Sequence, residues 1–374
     1  MVKYMHQFDE IPTRFATQSY FLRTNLHQEF VSYLKKSLPQ QAFDTCEHIA
    51  LVLLKPDAVC ADKHFPILER LMENGYNILY GDFIQDPKER MFEELYQYNL
   101  TLRNEQNQIA SWWINRRLYT TGPSILLLVS HNRMRDVDLY ADLIRMKGPS
   151  DPFKTIPGQI RCDFGGCNMA MNLIHCSDDP VSSLREFLIF RPMQVLDATL
   201  RQIYPLLDSS TGLQARNEEV IKYLKQINPA IVPSRADIDF ISVLWRLRQR
   251  SALAVSALCS PGEPCSFLWP GAVPSEPVPG ARLMEALDRS RSYLDRLQST
   301  KFERADWRLD IGLKLIERLC QFDEITDRDV PDLVKMLSAL GVRTDAWDEL
   351  VLETSAHYSA SMRQYLQSQQ GELA

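Results

Sequence analysis

A run of six aliphatic residues at positions 49–54 constrains the fold of this chain most. Such a run is typical of a β-strand that is buried on both faces. Lys55 follows directly, at a point where a charged side chain can leave a sheet and reach a phosphate. Further strands are predicted at residues 76–83 and 125–129. Segments with helical periodicity accompany them at residues 26–38, 65–74, 87–100, 133–146 and 180–190.

The second half of the chain is predicted to be mainly helical. Helical periodicity marks residues 234–258, 282–298, 304–321, 331–340 and 345–367. The first of these helices is expected to begin at Ser234, with Arg246, Arg248 and Arg250 spread over several solvated faces. A Pro- and Gly-rich stretch at residues 259–281 is interpreted as a linker or loop. A chain of 374 residues is long for one compact domain, so two or three domains are expected.

Composition and charge narrow the class of protein. The net charge of −6 implies no general basic face, which argues against a nucleic-acid binder. The eight cysteines include no C-x-x-C pair, and in a chain of this size they are interpreted as reduced thiols. The first residues contain no apolar signal core, and no apolar run is long enough to span a bilayer. We therefore expect a cytoplasmic protein with no membrane partner.

A dense polar cluster surrounds His175 in the sequence. Asn172 stands three positions before it, Ser177 two positions after it and Glu186 eleven positions after it. An imidazole can act as a nucleophile when one nitrogen is free and an acceptor holds the other. Glu186 lies off the apolar stripe of the helix at residues 180–190, so it is a candidate for that acceptor. The alternative is a histidine packed in a core, but the polar neighbours favour a site.

Three blocks of sequence around this cluster resemble the nucleoside diphosphate kinase family. The segment Pro157-Gly-Gln-Ile-Arg-Cys-Asp-Phe, followed by Asn172-Leu-Ile-His-Cys-Ser-Asp-Asp and by Arg185-Glu, is similar to the family signature. The turn Lys55-Pro-Asp-Ala-Val and the strand that follows Thr121-Gly-Pro are similar to two further blocks, in the family's order. The resemblance covers about residues 46–190, which is less than half of the chain.

This resemblance implies a fold and an order of domains. It implies an α/β core of ferredoxin-like type, an antiparallel sheet sandwich covered by helices, followed by a mainly helical C-terminal region. It also allows a homo-oligomer. The domains expected on this basis are an N-terminal helical extension (1–45), the kinase-like domain (46–190), a helical segment (191–258), the linker or loop (259–281) and a helical C-terminal region (282–374).

The resemblance also implies a reaction. His175 would attack the γ-phosphate of ATP, with Mg²⁺ carried by the nucleotide rather than held by the protein, and the phosphohistidine would pass the group to a nucleoside diphosphate. Lys55 and Arg161 would neutralise charge on the phosphoryl oxygens, and Glu186 would orient the imidazole. The other residues expected to bind the nucleotide or its phosphates are Tyr96, Ser150, Asn172, Ser177 and Trp112.

The aromatic residues in this set have alternatives. Tyr96 matches a family tyrosine that lies near the phosphohistidine, and a packing role explains it nearly as well. Trp112 and Trp113 stand where the family keeps an aromatic ring that stacks on the base, so one of them stacks there or both belong to the core.

The loop at residues 148–155 imitates a Walker A phosphate-binding loop. Phe153 replaces the second glycine of that motif, and two prolines remove amides that such a loop would use. The loop corresponds better to the family's Ala-Thr-Asn-Pro loop, which makes Ser150 the hydroxyl donor to phosphate.

The chain departs from the family pattern at three places. Residues 101–110 form a longer, Asn- and Gln-rich insertion. Cys176 stands where the family has glycine, so a side chain is expected to crowd the site or change its rate. Ile144 stands where the family has a phosphate-binding arginine. The adjacent Arg145 is turned by about 100° on a helix.

These departures keep two other functions open. One is a specialised phosphotransferase that uses ATP to phosphorylate a dedicated small-molecule acceptor. The other is a nucleotide-binding interaction module with reduced catalysis, which the presence of both His175 and Glu186 disfavours. All three functions require a nucleoside triphosphate as a partner, and the two enzymatic ones also require a phosphate acceptor.

Overall fold

A computed structural model of the protein describes residues 25–38, 40, 45–85, 88–96, 112–133, 136–231, 237–259, 268–300, 302 and 306–372. The strands are β1 (Ala50–Leu54), β2 (Tyr76–Ile84), β3 (Ser124–His131) and β4 (Ile174–Cys176). The helices are α1 (Asn25–Ser37), α2 (Pro56–Cys60), α3 (His64–Glu73), α4 (Glu89–Tyr96), α5 (Trp112–Thr121), α6 (Leu139–Lys147), α7 (Ile160–Asp163), α8 (Pro180–Phe190), α9 (Met193–Ile203), α10 (Ser210–Ile231), α11 (Phe240–Ser256), α12 (Pro279–Ser299), α13 (Trp307–Cys320), α14 (Val330–Ala339), α15 (Ala346–His357) and α16 (Ser359–Glu372). The predicted fold class, an antiparallel α/β core followed by a mainly helical region, is confirmed.

The described strands form one antiparallel sheet in the order β2-β3-β1-β4. Every residue of β1 and β3 is buried, which explains why both strands are continuous aliphatic runs in the sequence. On the side away from β3, β1 pairs with β4 and places Leu53 opposite His175. Because residues directly opposite each other point to the same face, His175 projects from the face on which Leu53 lies.

Helix α8 covers this face of the sheet. Its apolar residues pack in one core cluster with residues of β1 and β3, and the members at this contact are Leu51, Leu53, Leu126, Leu128, Val181, Leu184 and Phe187. A buried hydrogen bond joins the same elements, since the Leu51 amide donates to the Ser183 hydroxyl over 3.1 Å. The helix that carries Glu186 is therefore fixed to the strand next to β4.

The chain forms two compact units. The first contains the described residues of Met1–Gly148 and Leu173–Arg235, and with them the sheet. The second contains Pro149–Asn172 together with the described residues of Ala236–Ala374. The segment Pro149–Asn172 thus packs with the C-terminal helices, although both ends of it continue into the unit that contains the sheet.

Helix α10 covers the edge of the sheet at β2. The Ile78 amide donates to the Asn217 side chain, and Arg216 Nε donates to the Leu79 carbonyl over 2.8 Å. The helix also lies close to β2 at Gly81, where an added Cβ would meet Val220 at 2.8 Å. Side chains of α10 therefore satisfy backbone groups that an edge strand would otherwise present to another chain.

Helix α11 belongs to the second unit, which is called the helical unit below, and it differs from two expectations. The helix begins at Phe240 rather than Ser234, because the Asp239 carboxylate accepts from the Ser242 amide over 3.0 Å and caps it. Arg248 is 1% exposed rather than solvated. Its guanidinium lies 4.3 Å from the centre of the Trp245 ring, and one of its nitrogens donates to Ser290 over 2.9 Å.

The single helix expected at residues 345–367 is two helices, α15 and α16, which meet at Tyr358. Asp345 caps α15 by accepting from the amides of Trp347 and Asp348. Among the helices that the structure describes, none has both the length and the apolar composition of a membrane-spanning segment.

Candidate active site

The turn after β1 fixes the start of the strand that carries His175. The Lys55 amide donates to the Leu173 carbonyl over 2.9 Å, and Asp57 Oδ2 accepts from the Leu173 amide over 2.9 Å. Leu173 has a φ of 73°, in the left-handed region. This conformation costs a residue with a side chain about 1–2 kcal/mol. The Lys-Pro-Asp turn therefore holds a strained residue two positions before His175.

His175 and Glu186 are joined by a hydrogen bond. His175 Nε2 lies 2.8 Å from Glu186 Oε2, and the side chains are 22% and 8% exposed. A carboxylate can only accept, so the ring donates from Nε2. The proton of the neutral ring is then on Nε2, and the lone pair is on Nδ1. Among the described residues, none forms a hydrogen bond with His175 Nδ1.

Glu186 is held as an anion by several donors. Burial raises the pKa of this carboxyl, but the charge and hydrogen bond of His175, the charge of Arg185 and the Ser177 hydroxyl together bring the pKa below its usual value. The Ser177 hydroxyl donates to Glu186 Oε2 over 2.5 Å, and Arg185 lies 3.7 Å from Oε1. Ser177 is 1% exposed, so its hydroxyl is directed to the carboxylate inside the site.

Two tyrosines connect the histidine to the lysine. The Tyr96 ring contacts the His175 ring edge-on, with centres 6.0 Å apart, and the hydroxyls of Tyr96 and Tyr119 are 2.8 Å apart. Lys55 Nζ lies 5.7 Å from the centre of the Tyr119 ring, and Lys55 is 3% exposed. Tyr119 is fully buried, and burial raises its pKa well above the usual value. The hydroxyl of Tyr119 therefore stays protonated and can donate a hydrogen bond.

The other residues expected at the phosphates lie together in the segment Pro149–Asn172. Arg161 is 5% exposed, and its Nε donates to the Asn172 carbonyl over 3.1 Å. A terminal nitrogen of Arg161 lies 3.4 Å from the Ser150 hydroxyl. The Asn172 amide group donates to the Met169 carbonyl over 2.9 Å. The main chain at Asn172 thus sets the direction of the Arg161 guanidinium.

The structure gathers the candidate residues into two groups. The unit that contains the sheet holds Lys55, Tyr96, His175, Ser177 and Glu186, and the helical unit holds Ser150, Arg161 and Asn172. The side chain of Trp112 lies outside the described part, as do residues 101–110.

The structure shows where the side chains lie at two of the departures from the family pattern. Arg145 is 72% exposed and pairs with Asp142 over 2.6 Å, on the surface of α6. Cys176 is 1% exposed, and it follows His175 within β4. Because side chains alternate between the faces of a strand, the thiol points away from the face that carries the imidazole.

Three residues that shape this site were not among those predicted from the sequence. Asp57 was visible within the Lys-Pro-Asp turn, but its contact with a residue 116 positions later left no local signal. Arg185 was visible as the neighbour of Glu186, and its second contact is with the Glu94 carbonyl, over 3.1 Å. The sequence pattern does not distinguish Tyr119 from a core residue, because a buried tyrosine on an amphipathic helix is typical of a core position.

Comparison with known proteins points to one family. Residues 48–195 match the family model described as nucleoside diphosphate kinase. A protein of that name from Methanoregula boonei is 30% identical over 149 residues, which are 40% of this chain and 90% of the relative. One from Roseiflexus sp. is 30% identical over 149 residues, which are 40% of this chain and 91% of the relative.

Solved structures carry the same name. The nucleoside diphosphate kinase of Halobacterium salinarum in complex with CDP is 24% identical and has a TM-score of 0.32, covering 39% of this chain and 88% of that one. Residues 48–195, which match the family model, contain the sheet and the candidate residues described above.

Proposed function

The chain belongs, through residues 48–195, to the nucleoside diphosphate kinase family, and we propose that it transfers the γ-phosphate of ATP to a nucleoside diphosphate through a phosphohistidine at His175. The observation that carries the proposal is the hydrogen bond between His175 Nε2 and Glu186. It places the lone pair of the imidazole on Nδ1, in a side chain that remains partly exposed.

In the first half of the reaction, Nδ1 attacks the γ-phosphorus. A bond forms between nitrogen and phosphorus, the bond from phosphorus to the bridging oxygen breaks, and the nucleoside diphosphate leaves with the bonding electrons. The proton on Nε2 stays in place, so the ring of the adduct gains positive charge. The anionic Glu186, 2.8 Å away, stabilises that charge. In the second half, an acceptor diphosphate reverses these steps.

Cationic side chains offset the charge on the transferring group. Lys55 is held at the end of β1 by its backbone contact with Leu173. Arg161 carries a buried guanidinium next to Ser150 in the segment Pro149–Asn172. Mg²⁺ would enter with the triphosphate as part of the substrate and supply further positive charge there. Tyr96 packs against the imidazole and limits its rotation.

A second candidate is transfer to a dedicated small-molecule acceptor. It is favoured by the surface pairing of Arg145 with Asp142, which leaves α6 without the inward arginine of the family pattern. The two candidates differ in what removes the phosphate from the labelled protein. A nucleoside diphosphate kinase is discharged by the common diphosphates, whereas the specialised enzyme is discharged by ADP and its own acceptor.

Labelling of the intact protein with γ-labelled ATP and Mg²⁺ tests the proposal. We expect label that is labile in acid and stable in base, because the P–N bond of phosphohistidine has this stability. His175→Ala removes the nucleophile and should abolish the label. His357→Gln is the matched control, since this histidine pairs with Asp327 in the helical unit.

Equal labelling of His175→Ala and wild type would contradict the proposal. Nucleotide binding without any label in the wild type would instead support the interaction module with reduced catalysis. Discharge by a panel of diphosphates then separates the two enzymatic candidates.

A further inference from the structure

We propose that α15 and α16 position the phosphate-binding residues of the segment Pro149–Asn172, with Thr354 and Ser361 as the positioning residues. The proposal rests on the proposed function for the role of Arg161 and Ser150. It gives the C-terminal helices a part in nucleotide binding that the kinase-like sequence does not require. The contacts that carry it all lie within the helical unit.

The first contact joins Asn168 to α15. Its amide group donates to the Thr354 hydroxyl over 2.9 Å and to the Ser355 hydroxyl over 3.1 Å. Asn168 is 5% exposed and Thr354 is fully buried. Hydrogen bonds between buried groups are expensive to leave unmade, so they hold the segment in one place.

The Asn168 side chain also fixes the main chain that follows it. Its side-chain oxygen accepts from the amide of Ala170 over 3.0 Å and from the amide of Met171 over 2.9 Å. The next residue is Asn172, whose main-chain carbonyl accepts from Arg161 Nε over 3.1 Å. The orientation of the guanidinium thus depends on a turn that α15 fixes from outside the segment.

The second contact joins the other end of the segment to α16. Asp151 accepts from the Ser361 hydroxyl and, over 3.1 Å, from the Phe153 amide. The Phe153 ring stacks on Tyr365 at 5.2 Å between centres and 19° between planes. Ser150, which lies beside Arg161, directly precedes Asp151.

Both ends of the segment are therefore tied to the last two helices. Its own regular structure is only a 3-10 turn at Pro152–Lys154 and the four-residue helix α7. Such a segment depends on outside contacts for its order. Holding it before the nucleotide arrives lowers the entropy cost of binding. We therefore expect loss of these contacts to weaken nucleotide affinity more than the rate of the chemical step.

Thr354→Val in the full-length protein tests the proposal. The substitution keeps the volume but removes the nearer of the two hydroxyls to which the Asn168 amide group donates, and it leaves the Ser355 hydroxyl. We expect the dissociation constant for ADP, measured by calorimetry, to rise by roughly 5- to 10-fold, the scale of one buried hydrogen bond. The labelling rate of His175 at saturating ATP should fall by a smaller factor than the affinity, since only the direction of Arg161 is disturbed and His175, Glu186 and Lys55 are untouched. Thr354→Ser restores the hydroxyl and should restore the affinity.

Thr344→Val is the matched control. This threonine lies just before α15 and bonds to Glu349 over 2.9 Å rather than to a residue of the segment. The affinity of the Thr344→Val protein for ADP should equal that of wild type. If Thr354→Val does not fold, Ser361→Ala replaces it, with the same rise in dissociation constant expected.

The outcomes separate this proposal from the proposed function. Unchanged ADP affinity in a folded Thr354→Val protein overturns the positioning role, whether or not His175 is labelled. A wild type that binds ADP but is not labelled overturns the phosphohistidine, while the change in affinity still decides the positioning role. A wild type that binds no nucleotide overturns both.

Discussion

At the scale of single residues, the negative charge of Glu186 determines how well the site can stabilise a positively charged imidazole. Its pKa lies below the usual value because the charges and hydrogen bonds around it outweigh the effect of burial. Because the folded pKa is depressed, the stability that this ionisation contributes is present above the unfolded pKa of the carboxyl and is lost as the pH falls through the folded pKa. At neutral pH the carboxylate can therefore stabilise a positive imidazole.

Glu186→Gln should lower the labelling rate at saturating ATP by roughly 10²-fold, the scale of one preorganised charge at a reacting group. The amide keeps the volume and an oxygen that accepts from His175 Nε2, so ADP affinity should change little. Glu219→Gln makes the same chemical change at an exposed carboxylate, which pairs with Arg216, and should leave the rate unchanged. Equal rates for Glu186→Gln and wild type would remove this carboxylate from the mechanism.

The proximity of His175 and Glu186 could be predicted because both contributing patterns are local. His175 and Glu186 are eleven positions apart, and helical periodicity at residues 180–190 places Glu186 off the apolar stripe. The strand Ile174–Cys176 was not predicted. The contact of Asp57 with Leu173 could not be predicted, because no periodic pattern reports a hydrogen bond between residues 116 positions apart.

At the scale of elements, helix α10 covers the edge of the sheet at β2. The Ile78 amide on β2 is bound by Asn217, and Ile78 is fully buried. The buried strands were readable from the sequence as apolar runs. The match of α10 to the edge of β2 was not, because it depends on polar side chains that meet backbone groups.

Asn217→Ala should reduce the free energy of unfolding by about 1–3 kcal/mol, since it leaves a buried backbone amide without an acceptor. Chemical denaturation of the full-length protein measures the change, with the unfolding of the unit that contains the sheet as the observed transition. Gln214→Ala removes an exposed amide from the same helix, one that bonds to Glu218 over 3.4 Å, and serves as the control. The edge contact would carry no stability if the two variants unfolded at the same denaturant concentration.

At the scale of the whole molecule, the candidate residues are divided between two compact units. The residues that hold the nucleophile belong to the unit that contains the sheet, and Arg161 belongs to a segment that packs with helices much later in the chain. The contacts of that segment with Thr354 and Ser361 span 186 and 210 positions, so sequence periodicity could not reveal them. The signature Pro157-Gly-Gln-Ile-Arg was nevertheless readable, because a family motif depends on residue order and not on what packs behind it.

The position of the phosphate on the imidazole tests the proposed phosphohistidine mechanism most directly. Phosphorus NMR of the intact protein, with nitrogen-labelled histidine and after incubation with ATP and Mg²⁺, reports which ring nitrogen is bonded to phosphorus. Because Glu186 holds Nε2, we predict phosphate on Nδ1 of His175. Phosphate on Nε2 of His175, or on any other residue, would contradict it.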